Sequence, residues 1–412
     1  MDNETPPSGI PTPPSGTSLP PDFQPISSGS ESARAEQPRM GRARERQLRR
    51  QQRLPMVQPA GSRRMIRQTA PSDRFKLPKI KIPGGRNALY VVGAVLFVVA
   101  VVYILGRIRN NEPTATPPNA LWIGTEWTYA THDDGTMRDY VQKLRDHQVG
   151  TVYAWVSWLQ SDQTWRGEDN FETVKTFVEQ FKQFYPEALL YGWISFPVDI
   201  GEGGYRLDNV ALQQIVADFS AKVVNEFGFD GVFLNIEPVW NNDQNFLALL
   251  RLVRSAVGND VPISAAIPPD WSPIGVNIPV PPLIVPGTVW DREYKQSVAL
   301  LVDEMAVMAY NSGLSSPSDY SQWMAYQVRT FAQSVDQLGG GTEIVIGIPT
   351  YDAELPGHDP NVESIAAAVE GIRSGLQQAG DAAAFVRGLG VYADWETDDT
   401  EWASFKQNWV DS

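Results

Sequence analysis

The chain of 412 residues contains no cysteine, which excludes a disulfide framework, a thiolate metal site and a cysteine nucleophile together. It has three histidines, His132, His147 and His358, too few and too scattered to suggest a histidine metal site, so neither metal nor cofactor is expected. Residues 1–30 lack apolar periodicity and carry eight prolines in their first 25 positions, a composition that buries too little apolar surface to offset its ordering entropy. The stretch from Ala88 to Gly106 lacks charge altogether. Each absence marks a different segment, so the chain is best taken in pieces.

Residues 1–87 hold 16 Lys/Arg against 7 Asp/Glu, whereas the chain from Arg107 onward holds 18 against 41. The net charges of +9 and −23 are opposed, and the whole-chain value of −14 describes neither part. Between them ALYVVGAVLFVVAVVYILG spans roughly 28 Å as a helix, close to the hydrocarbon thickness of a bilayer. It begins too far from residue 1 for a cleavable signal peptide and reads as a signal anchor. Arg74, Lys76, Lys79, Lys81 and Arg86 precede it and only Arg107 and Arg109 follow closely, which puts the N-terminus in the cytoplasm and the acidic part outside. The arginine-rich block at 34–67 then reads as an anionic-lipid contact or a topology signal in preference to a nucleic-acid site. The expected organisation is a disordered cytoplasmic tail (1–87), a transmembrane helix (88–106), a linker (107–119) and a folded domain (120–412).

Within that domain eight short β-rich runs alternate with amphipathic segments of helical length. The runs are 121–127, 151–158, 188–196, 231–238, 262–269, 304–311, 343–351 and 388–395, and helical spacing is clearest at 171–185, 210–227 and 362–379. Eight β/α units in this length predict an α/β fold, a (β/α)8 TIM barrel. The rival is a doubly wound open sheet, which calls for a glycine-rich phosphate loop after its first strand; GTEWTYATHDDGT (124–136) is not one.

Catalytic groups of such a barrel belong at the carboxyl ends of its strands. In FDGVFLNIEP, Phe233, Asn235 and Glu237 share one face of the strand, and Val232, Leu234 and Ile236 the other. Asn235 and Glu237 are therefore expected side by side in the barrel mouth, where burial among aromatic residues raises the pKa of a carboxyl and suits it to general-acid work. Tryptophans fall at strand ends or early loops at Trp127, Trp158, Trp193, Trp240, Trp271 and Trp395. Their flat apolar faces suit sugars, though barrel cores use tryptophan as well. DWETDDTE (394–401) offers Asp394 and Glu396 as second carboxylates, or caps the last helix.

FDGVFLNIE resembles the fourth-strand signature of clan-K glycoside hydrolases, which include the family 18 chitinases and chitinase-like proteins and the family 85 endo-β-N-acetylglucosaminidases. Family 18 places two further acids and a Glu at alternating positions after Asp-Gly. Here Asp230, Gly231 and Glu237 match, while Phe233 and Asn235 replace the two acids. Family 85 has an apolar residue and then Asn-x-Glu at these places, so this strand is more similar to family 85. VDEMAVMAYNSG (302–313) is similar to the sixth strand of family 18, with Tyr310 matching and Asn311 in place of an acid. ISAAIPP and IVIGIPTYDA resemble its fifth and seventh strands, and Trp395 is the candidate for the tryptophan that floors the sugar subsite at the end of the eighth.

The resemblance implies a retaining, substrate-assisted mechanism on N-acetylhexosamine glycans. The Glu protonates the glycosidic oxygen, the residue two positions earlier orients the substrate's 2-acetamido group, and the tyrosine donates to its carbonyl. On this sequence those are Glu237, Asn235 and Tyr310, with Asp230, Asn311, Trp395, Trp193 and Trp127 as expected substrate contacts. The alternative is a carbohydrate-binding barrel without turnover, suggested by the departures at Phe233 and Asn311. A two-carboxylate glycosidase built on NIEP fails on spacing, because Ile236 separates the pair and only Asp352 or Glu354 would remain as nucleophile.

Overall fold

The computed structural model describes residues 117–199, 204–270, 286–352 and 357–412. Eight parallel strands, β1 (Asn119–Ile123), β2 (Val149–Trp158), β3 (Leu189–Pro197), β4 (Gly231–Glu237), β5 (Ile263–Ile267), β6 (Glu304–Val307), β7 (Glu343–Pro349) and β8 (Val386–Tyr392), close in sequence order into a barrel. Closure removes every sheet edge. After the strands come α1 (Asp134–Asp146), α2 (Phe171–Phe184), α3 (Val210–Asn225), α4 (Gln244–Val257), α5 (Arg292–Ala299), α6 (Pro317–Asp336), α7 (Ile365–Ala379) and α8 (Asp399–Phe405), one per strand. The expected barrel is the observed one.

The helices start where short polar side chains satisfy their first free amides. Asp133, Asn209, Asp243, Asp291, Ser316 and Ser364 each accept from a backbone N–H of the first turn, and Asp398 forms a full capping box with Glu401 ahead of α8. Apolar faces of these helices pack on the outward faces of the strands, so Val232, Leu234 and Ile236 of β4 are buried at 2% exposure or less. The inward faces form a second, aromatic core from Trp122, Tyr153, Tyr191, Trp193 and Phe233. Gly390 of β8 makes room for it, because a side chain there would run into the Trp122 ring.

The foot of the barrel is polar. Glu304 at the start of β6 accepts from the Tyr153 hydroxyl and from Ser264 Oγ at 2.6 Å, and pairs with Arg387 of β8 at 3.1 Å. Arg387 also reaches the Thr151 hydroxyl and Glu343. These bonds tie β2, β5, β6, β7 and β8 together beneath the aromatic layer, and they satisfy a carboxylate that burial otherwise penalises.

Several boundaries differ from expectation. β1 begins at Asn119, within the expected linker, and Thr125–Thr128 form a helical turn instead of continuing the strand. β6 stops at Val307 because two successive three-residue γ-turns, Ala309 N–H to Val307 O and Tyr310 N–H to Met308 O, bend the chain out of the sheet. Tyr310 and Trp395 therefore lie on loops beyond strand ends. The expected tail and membrane span at 1–106 lie outside the described residues; among the described ones no helix is long and apolar enough to cross a membrane.

Candidate active site

β4 delivers two polar side chains to the carboxyl end of the barrel. Pairing with β3 sets Asn235 opposite Ser195 and Glu237 opposite Pro197. Asn235 is buried and its amide Nδ2 lies 3.5 Å from Ser195 Oγ, which also accepts from the Trp193 indole N–H at 3.0 Å. Desolvation pushes the Glu237 carboxyl up to about 7, against a hydrogen bond from Asn235 that favours the ionised form. With the Asn235 amide nitrogen engaged by Glu237 and Ser195, its oxygen is left as an acceptor. Near neutral pH Glu237 therefore exchanges a proton readily.

Two tyrosines lie within electrostatic reach of Glu237. Tyr310 stacks on Tyr392 with centroids 5.0 Å apart and planes at 16°. Burial drives the Tyr310 hydroxyl well above the usual range, with Tyr392, Glu237 and Tyr351 adding to the effect, so it stays a protonated donor. Gly347 of β7 admits this ring, since a Cβ there would lie 3.2 Å from Tyr310 Cε1. Tyr392, the last residue of β8, contacts Trp122, Trp193, Tyr351 and Trp395 edge-on as well and is the hub of the aromatic floor. The sequence reading missed it. Its signal was an aromatic residue at the end of the strand pattern GLGVY, passed over for the tryptophan three residues later.

The remaining expected contacts separate sharply. Trp395 lies half-buried on the loop after β8, stacked over Trp193 at 6.4 Å and 21°. Trp193 is 3% exposed, so it backs the floor and the expectation of direct sugar contact is corrected. Trp127 is half-buried: it stacks on Tyr140 at 3.7 Å and lies against His132, and its indole N–H is taken by Asp394. Asp230 stands at the opposite end of β4, accepting from Leu190 N–H at 2.9 Å and paired with Lys182. Seven residues at about 3.3 Å each set it roughly 23 Å from Glu237, so its assignment as a substrate contact does not hold. Asn311 is half-buried beside Tyr310 and accepts from the Tyr351 hydroxyl.

No family model matches the chain, and no curated protein matches it. Solved structures do. A class V chitinase from Pseudomonas fluorescens is 16% identical over 71% of this chain and 99% of its own, with a TM-score of 0.46. The spore cortex-lytic enzyme SleL of Bacillus cereus is 10% identical over 70% and 73%, also at 0.46. A chitinase from Chromobacterium violaceum is 16% identical over 70% and 98%, at 0.45.

Other carboxylates near the mouth have different duties. Asp394 accepts from Trp127 and Tyr140 and faces Lys143 at 3.6 Å, which binds the β8 loop to α1. Glu396 lies at the surface, where partial desolvation and then nearby Asp352 raise its carboxyl. Among the described residues no cluster of histidines and carboxylates has the make-up of a metal site. Trp158 is buried, Trp240 is 38% exposed on the loop after β4, and Trp271 lies outside the described residues.

Proposed function

We propose that the protein is a glycoside hydrolase that cleaves N-acetylhexosamine-containing glycans by a retaining, substrate-assisted route with Glu237 as general acid and base. The observation that carries this reading is a carboxyl at the end of β4, hydrogen-bonded to Asn235, raised to about 7 by desolvation and within electrostatic reach of Tyr310 and Tyr392. In the first step protonated Glu237 gives its proton to the glycosidic oxygen as the C1–O bond breaks, and the substrate's acetamido oxygen forms a bond to C1. The Asn235 oxygen accepts from the acetamido N–H, and Tyr310 donates to its carbonyl as charge moves onto that group. In the second step the Glu237 carboxylate takes a proton from water, whose oxygen attacks C1 and opens the oxazoline ring. Two inversions at C1 retain its configuration, and the enzyme needs no nucleophile of its own.

The same reading makes the protein a single-pass membrane protein anchored through residues 88–106, with the basic tail at an anionic cytoplasmic lipid surface and the barrel outside the cell. The charge asymmetry around the uncharged segment supports this topology. The alternative, a carbohydrate-binding barrel without turnover, draws on Phe233, which is buried among Trp122 and Tyr153 where the family 18 pattern has an acid. Glu237→Gln decides between them. Loss of about 10²–10⁴-fold in kcat with glycan affinity retained supports the hydrolase. A wild type that binds N-acetylglucosamine oligomers without cleaving them supports the binding barrel.

A further inference from the structure

Glu363 is a buried carboxylate outside the set considered so far, on the segment leading into α7 and 2% exposed. Each of its hydrogen-bond partners is a donor. Its Oε2 accepts from Asn311 N–H at 3.0 Å and from His358 Nδ1 at 2.8 Å. Its Oε1 accepts from Ser312 N–H at 2.6 Å and from the Ser312 hydroxyl. His358 in turn meets the Tyr351 carbonyl through Nε2 at 2.8 Å, so both of its ring nitrogens face acceptors.

The geometry around Asn311 is unusual for a residue with a side chain. Its φ of 55° is left-handed, and that turn swings two successive backbone amides, those of Asn311 and Ser312, toward one point. Consecutive N–H groups arranged in this way form a nest that favours an anion. Here the protein supplies the anion itself. Across the same turn the Tyr351 hydroxyl holds the Asn311 side-chain oxygen. The residue that enters the turn is Tyr310, whose ring is stacked on Tyr392 within electrostatic reach of Glu237.

We propose that Glu363 is a positioning residue: by filling the Asn311–Ser312 nest it holds the β6 loop in the conformation that presents Tyr310 to the reacting sugar. The proposal rests on the hydrolase reading for what Tyr310 does there. The nest itself is set by the fold and holds for a binding barrel as well. Glu363 touches no substrate; its effect passes through two backbone amides to the neighbouring ring.

The test uses the full-length protein and N-acetylglucosamine oligomers. Glu363→Gln keeps the shape but turns an N–H group toward the Asn311 or His358 donors. Loss of a hydrogen bond to a charged group predicts about a tenfold fall in kcat. KM should stay within about twofold, and the alkaline limb set by Glu237 should remain near 7 because that carboxyl is untouched. Hydrogen exchange at the Asn311 and Ser312 amides should quicken in the same variant. Asp398→Ala, which removes the cap of α8, supplies a comparable general destabilisation and should leave kcat and those two amides unchanged. Should Glu363→Gln not fold, Ser312→Ala removes the hydroxyl bond alone and should lower kcat by about threefold. An unchanged kcat in whichever variant folds overturns the proposal, as does an equal loss in Asp398→Ala. If the wild type binds glycan without cleaving it, affinity replaces kcat as the readout, and the hydrolase reading fails while the nest is still tested. A wild type that neither binds nor cleaves overturns both.

Discussion

The pH dependence of turnover follows from the environment of one carboxyl and is open to a direct perturbation. Desolvation raises Glu237 to about 7, and the hydrogen bond from Asn235 works against it by favouring the ionised form. The acid must be protonated to attack the glycosidic bond, so activity is present below this pKa and is lost as pH rises through it. For the wild type, kcat/KM on a chitooligosaccharide should fall along a single alkaline limb centred near 7. Asn235→Ala removes the bond that stabilises the carboxylate. A hydrogen bond to a charged group contributes about 1.5 kcal/mol at the low end, and one pKa unit corresponds to 1.36 kcal/mol, so the limb should move up by about one unit. The plateau should drop at the same time, because the acetamido group loses its acceptor. Initial rates from pH 5 to 9, fitted for kcat/KM, report the free enzyme's acid. A limb that stays at 7 in Asn235→Ala would refute the coupling between the two side chains, and an upward shift without a lower plateau would refute the role of Asn235 toward substrate.

Other expectations test the remaining assignments. Asp230→Ala should leave kcat and KM unchanged while lowering stability by about 1 kcal/mol, since it removes an acceptor for Leu190 N–H at the foot of the barrel; calorimetry with kinetics on one preparation checks both halves. Tyr392→Ala should impair turnover more than Trp127→Ala does, because the first removes the stacking partner of Tyr310 and the second removes a stack on α1 and one hydrogen bond to Asp394. The fragment 117–412 should unfold in one cooperative step as a soluble monomer, as sedimentation and calorimetry will show, given that closure leaves no strand edge. Protease added to intact cells should remove the barrel and spare a tag at residue 1; loss of the tag would reverse the proposed topology.

What the sequence determined by itself was the order of the barrel and the strand that carries the acid. Apolar runs alternating with amphipathic segments leave few ways to bury both, and a two-residue period fixes which side chains of β4 share a face once that strand is recognised. Phe233, Asn235 and Glu237 were legible for that reason. The tertiary structure alone decided which aromatic and charged residues remain available to a ligand. Trp127, Trp193 and Trp395 look alike in the chain, yet Trp193 is sealed beneath the floor while the other two are half open, Trp127 with one face on Tyr140 and its N–H on Asp394. Asp230 and Glu237 belong to one motif but end up at opposite mouths, because an extended strand separates its ends by the full depth of the barrel. Glu363 could not be singled out in the sequence, and Tyr392 showed there only as an aromatic strand end, since their roles depend on partners such as Asn311 and Tyr310, tens of residues away, that only barrel closure brings into contact.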